Sequence, residues 1–106
     1  MTDQTASDPV ARVASVEEIY GLWSIHDGDS RCRIALSADR RGSGHMATVE
    51  RCAVPALAKA SLWRPVVGGF ELLGGGDAVV MRFRMTGVDG FESVDGRLKG
   101  ERAAEM

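Results

Sequence analysis

Residues 62–73 read Leu62-Trp63-Arg64-Pro65-Val66-Val67-Gly68-Gly69-Phe70-Glu71-Leu72-Leu73. Two short runs of large apolar residues flank a Gly-Gly pair, and neither run has helical periodicity. Apolar stretches of that length, broken by glycine, are the pattern of two antiparallel strands joined by a tight turn. This hairpin sets the reading of everything around it.

The same unit recurs on both sides. Tyr20 to Ile25 predicts a first strand, stopped by the turn residues Asp27-Gly28-Asp29. Cys32, Ile34 and Leu36 then fall on one face of a second strand, with Arg31, Arg33 and Ser37 on the other. Arg41-Gly42-Ser43-Gly44 turns the chain into a third strand, His45 to Arg51. Beyond the opening hairpin, Gly74-Gly75-Gly76-Asp77 leads into Ala78–Arg84, the longest strand expected. Phe91–Val94 and Arg97–Glu101 close the series, with Asp95-Gly96 between them as a two-residue hairpin signal. Only Ala53–Lys59 differs, being rich in helix formers with Pro55 where a first turn tolerates it.

Parallel neighbours need a long crossover, and only the connection through residues 53–59 has any length. The prediction is therefore all-β: an eight-stranded antiparallel up-and-down barrel, whose interior at that strand number is filled by side chains. Leu22 or Trp23, Ile34, Leu36, Met46, Val49, Leu72, Val80, Phe83 and Leu98 are the expected filling.

The front of the chain is different. Residues 1–14 are small and polar, without sustained periodicity, and read as an N-terminal arm that is flexible in isolation. Ser15-Val16-Glu17-Glu18 has the spacing of a capping box, predicting a short N-terminal helical turn that ends before Gly21. The organisation is thus an arm over 1–14 and a single barrel domain over 15–106.

Composition removes several function classes. The 106 residues carry 13 basic and 15 acidic groups, a net charge of −2, with no basic block to hold nucleic acid. No apolar stretch approaches the roughly 20 residues needed to cross a bilayer as a helix, so no transmembrane segment is expected. The start, Met1 to Pro9, has neither the basic beginning nor the apolar middle of a secretory signal. Two cysteines, Cys32 and Cys52, are too far apart and too few for a metal hook. Two readings stand for them: buried thiols in a cytosolic domain, or one bridge in an exported one.

Catalytic chemistry is sparse. The only histidines, His26 and His45, form no metal-ligand spacing. His26 beside Asp27 reads as a turn residue rather than a base with its orienter. Glu17 and Glu18 read as caps. The glycines at 42–44, 68–69 and 74–76 lack the Lys-Ser/Thr and helix of a phosphate loop. Trp23 and Trp63 are expected as core or end plugs of the barrel. Arg31, Arg33, Arg40, Arg41 and Arg51 are read as a solvated outer face, with docking of an acidic partner as the functional alternative. No enzyme, cofactor or metal site is predicted.

Taken in order, Gly21-Leu22-Trp23, Cys32-Arg33-Ile34-Ala35-Leu36, Cys52, Trp63-Arg64-Pro65 and Gly69-Phe70-Glu71-Leu72, preceded by Ser15-Val16-Glu17-Glu18-Ile19, resemble a known family. It comprises the small periplasmic inhibitors of serralysin-type zinc metalloproteases, or alkaline protease inhibitors, with related outer-membrane lipoprotein domains. The resemblance implies a Cys32–Cys52 disulfide, a secreted zinc metalloprotease as partner, a monomer, and a place in the periplasm or cell envelope. It also implies that the arm Pro9, Val10, Ala11, Arg12, Val13 and Ala14, up to Ser15, enters the protease cleft while the barrel docks on the rim. Arg12-Val13 matches the family's basic-apolar pair. In the family the mature α-amino group approaches the catalytic zinc. Here eight residues, Met1 to Asp8, precede the matching position, so with them retained Pro9 is internal. The rival readings are a cell-envelope structural or adhesion barrel, and a barrel binding a small apolar ligand.

Overall fold

A four-residue helical turn, α1 (Val16–Ile19), leads into eight strands. These are β1 (Gly21–Asp27), β2 (Ser30–Arg41), β3 (Gly44–Glu50), β4 (Leu62–Val66), β5 (Gly69–Leu73), β6 (Val79–Gly87), β7 (Gly90–Ser93) and β8 (Lys99–Arg102). The computed structural model describes residues 13–103. Each strand pairs antiparallel with the next, and β8 pairs back onto β1, closing the barrel predicted from the sequence. The first two hairpins turn in two residues, Gly28-Asp29 and Gly42-Ser43. Gly28 and Gly42 take φ of 62° and 56°, the left-handed region that tight hairpin turns require and a β-carbon disfavours.

The interior is a chain of aromatic rings. Trp63 meets Phe70 edge-on at 6.1 Å, Phe70 stacks on Phe83 at 5.1 Å, and Phe91 touches Phe70 at 4.9 Å and Trp23 at 4.7 Å. All five are buried, and these separations are the favourable range for aromatic pairs. The two tryptophans are core residues, as expected. Ile34, Leu36, Leu72 and Leu98 complete the predicted part of the filling.

Met46, Val49 and Val80 are only half-buried. On β3 the inward positions are those paired with Trp63, Leu36 and Ile34, namely His45, Ala47 and Val49. Met46 therefore points outward, since successive strand residues alternate. Val49 packs on the core from the barrel margin, and Val80 stands beside a register shift at Leu72/Leu73. Ile19, Ile25, Trp63, Phe70 and Phe91 take the volume instead.

Two turns also differ from expectation. Ala53–Lys59 holds only a 3-10 turn, Pro55–Leu57, because so short a segment cannot repay helix nucleation; the turn drops Leu57 into the core. Asp95-Gly96 is not a two-residue hairpin, since β7 ends at Ser93 and β8 begins at Lys99. The Asp95 carboxylate accepts from the Ser93 hydroxyl at 2.6 Å and the Arg97 N–H at 3.0 Å, which winds the chain into a longer loop.

Cys32 and Cys52 are disulfide-bonded, joining the start of β2 to the chain just beyond β3. The bridge closes the region where β3 is least supported, because only His45 and Met46 pair with β4. Pro65 lies on the stretch of β4 that β3 does not reach, where a missing N–H costs no ladder bond and blunts the open edge.

Candidate functional site

The barrel end from which the arm departs is built by α1 and the β4–β5 and β6–β7 turns. The Ser15 N–H donates to the Glu18 carboxylate at 2.9 Å, forming the capping box read from the sequence. Ile19 is fully buried and plugs this end. The Trp23 indole N–H donates to the Ile19 carbonyl at 2.8 Å, so the plug is held from beneath. On the other side of α1, Val13 makes an antiparallel bridge with Val67, next to the β4–β5 turn.

Around this exit the surface is apolar. Val13, Tyr20, Val67 and Val88 are 52%, 47%, 63% and 78% exposed, four of the six large exposed apolar residues among those described. Beside them lies a recess of about 560 Å³, lined by Ala14, Glu17, Ile19, Met85, Val88 and Arg102 among others. Val67 and Val88, on turns, leave most of their apolar surface in water in the free protein.

The predicted arm residues divide at the boundary of the described chain. Pro9, Val10, Ala11 and Arg12 lie outside it. Val13 and Ala14 are tied to the barrel, the first by its bridge to Val67 and the second by packing on the core. Ser15 is the N-cap of α1. Sequence reasoning did not find Tyr20, Val67, Val88 or Arg102. A signal for two of them was present: Val67-Gly68 and Val88-Asp89 put an apolar side chain in a turn, where none is needed for folding.

The flanks of the barrel carry charge in cross-strand order. Glu71 on β5, 4% exposed, lies between Arg64 of β4 and Arg82 of β6, each within hydrogen-bond reach. Burial pushes the Glu71 carboxyl up, but hydrogen bonds from Arg82 and Arg64 and their charges outweigh it, holding it below the usual range. Glu92 on β7 is likewise depressed by hydrogen bonds from Arg84 and Lys99. Arg31, Arg40, Arg41 and Arg51 are exposed and Arg33 half-buried. A second recess, about 520 Å³, lies among Arg31, Arg33, Arg51 and Cys32.

No catalytic constellation forms among the described residues. Asp27 pairs with Arg97 at 2.9 Å rather than orienting His26, whose Nε2 is 3.9 Å from Glu101. His45 faces inward against Trp63. The glycines at 42, 68 and 76 are turn residues with positive φ. Among the described residues no group of His, Cys, Asp and Glu could hold a metal ion, and no helix is long and apolar enough to cross a membrane.

Known proteins resemble the chain at two levels. The crystal structure of a psychrophilic marine protease MP inhibitor matches with a TM-score of 0.62, covering 85% of this chain and 100% of that one, at 20% identity. At that identity the likeness establishes the fold. The search of curated proteins gives no match. The family model described as protease inhibitor Inh matches residues 13–102, most of the chain. The chain belongs to the protease inhibitor Inh family.

Proposed function

We propose that the protein inhibits a secreted, serralysin-like zinc metalloprotease, with the arm in the active-site cleft and the barrel end on the cleft rim. The observation that carries this reading is the group of exposed valines, Val13, Val67 and Val88, around the root of the arm. An arm entering a cleft brings its root against the rim, and that root is where apolar surface is concentrated. The barrel supplies rigidity: α1 and the Val13–Val67 bridge hold the root before binding, so less conformational entropy is lost on association. The zinc belongs to the target, and the chain itself needs no cofactor. On this reading the inhibitor acts in the periplasm or at the cell envelope, and the Cys32–Cys52 bridge, of a kind that persists in oxidising compartments, supports that.

The test is inhibition of a serralysin-type enzyme by the full chain and by a variant lacking residues 1–14. Inhibition by the full chain, lost on deletion, is expected. An undiminished inhibition constant after deletion overturns arm insertion, and inhibition confined to proteases of another class overturns the target. Binding of an apolar fluorophore without inhibition of any protease favours the ligand-binding barrel.

A further inference from the structure

One side chain ties the arm root to the far end of the sequence. The Arg102 guanidinium donates to the Tyr20 carbonyl at 2.7 Å and the Glu18 carbonyl at 3.1 Å, across 82 and 84 residues. Its carbon lies 4.1 Å from the centroid of the Trp23 ring, and its Nε is 3.5 Å from an Asp89 carboxylate oxygen. Gly21, at φ 131°, leaves the space it fills: a β-carbon there would stand 2.7 Å from Nη1.

A four-residue helical turn has no independent stability, because the cost of nucleation is not recovered in one turn. Its last carbonyls are among the groups a helix leaves unsatisfied, and here a planar guanidinium from β8 reaches two of them at once. The direction of α1, and so of the chain entering it, is set from outside the turn.

We infer that Arg102 is a positioning residue for inhibition, a latch that aims the arm. This rests on the reading of the arm as the inhibitory element. Arg102 acts through α1 and Val13: with the latch released, the turn is held by Ile19, its bond from Trp23 and the Val13–Val67 bridge alone, and more of the ordering is left to binding.

The experiment compares Arg102→Gln and Arg102→Lys, each with and without residues 1–12, using inhibition of a serralysin-type protease, residual binding to it, and amide exchange. In the full chain Arg102→Gln is expected to weaken inhibition at least tenfold, with Arg102→Lys between it and the parent. Removing residues 1–12 is expected to abolish that difference in residual binding. Amides of Glu18, Ile19 and Tyr20 are expected to exchange at least tenfold faster in Arg102→Gln, while those of β2 and β5 are unchanged. Full-strength inhibition by Arg102→Gln overturns the latch. So does an equal loss without the arm, which makes Arg102 a direct docking contact. Should Arg102→Gln not fold, Arg102→Lys carries the comparison. If the parent chain inhibits no zinc protease, the proposed function fails while the exchange measurement still judges the latch, unchanged rates overturning it.

Discussion

The Trp23 indole N–H donates to the Ile19 carbonyl at 2.8 Å, joining the first strand of the barrel to the plug that closes its end. Both residues are fully buried, so neither group can turn to water instead. Trp23→Phe keeps an aromatic ring against Phe91 but leaves that carbonyl without its donor. A buried polar group stranded in this way costs about 1–3 kcal/mol, which should appear as a lower urea midpoint with an unchanged slope.

Gly69 pairs with Arg84 so closely that a β-carbon on it would overlap the Phe83 carbonyl. The obstacle is backbone within a closed sheet, so a side-chain rotation cannot relieve it. Gly69→Ala is expected to destabilise by about 1–3 kcal/mol, the range for overpacking, despite its ordinary strand conformation. Gly75→Ala meets nothing within 4 Å and serves as the control in the same denaturation series.

The acid limb of the stability curve should depend on Glu71. Its carboxyl is held below 4.5 in the folded state, as is that of Glu92, while Asp95 is held below 3.8 by the Ser93 hydroxyl and the Arg97 N–H. A carboxyl depressed by folding stabilises fully above its unfolded value and loses that contribution as pH falls through the folded one. Glu71→Gln should therefore lower stability at neutral pH and flatten the decline below pH 4.5. Arg64 and Arg82 are 40% and 58% exposed, so solvent screens the group and the neutral-pH loss is about 1–2 kcal/mol, not that of a fully buried pair. Urea midpoints from neutral pH down to about 3 check both the size and the sign.

The Cys32–Cys52 bridge spans a sequence separation of 20. In the chain-entropy view, closing a loop of that length removes about 3 kcal/mol of freedom from the unfolded chain. A Cys32→Ala, Cys52→Ala variant should lose about that much in reversible denaturation. Its amide exchange should rise first at Cys52 and Ala53, which the bridge and the Ala53 N–H bond to the Arg31 carbonyl hold against β2.

Strand alternation made the barrel legible without any structure. The alternation at 32–36 and the short apolar runs at 62–66 and 70–73, separated by glycine-bearing turns, favour antiparallel neighbours, because only the connection through residues 53–59 has any length. The capping box at Ser15–Glu18 and the burial of both tryptophans were equally local signals. Met46 was misplaced because two adjacent parities of β3 look alike until His45 is seen opposite Trp63.

The series of strands is legible in the chain alone, since period and turn chemistry are properties of neighbouring residues. The make-up of the apolar barrel end follows from closure of the sheet rather than from local pattern. Closure of β8 onto β1 brings Arg102 over Trp23 and against the carbonyls of α1, while the Val13–Val67 bridge and the recess beside the β6–β7 turn put Val13, Val67 and Val88 at one end. Contacts across 82 residues leave no trace in local periodicity; they exist because a sheet that curls fully must meet its own first strand.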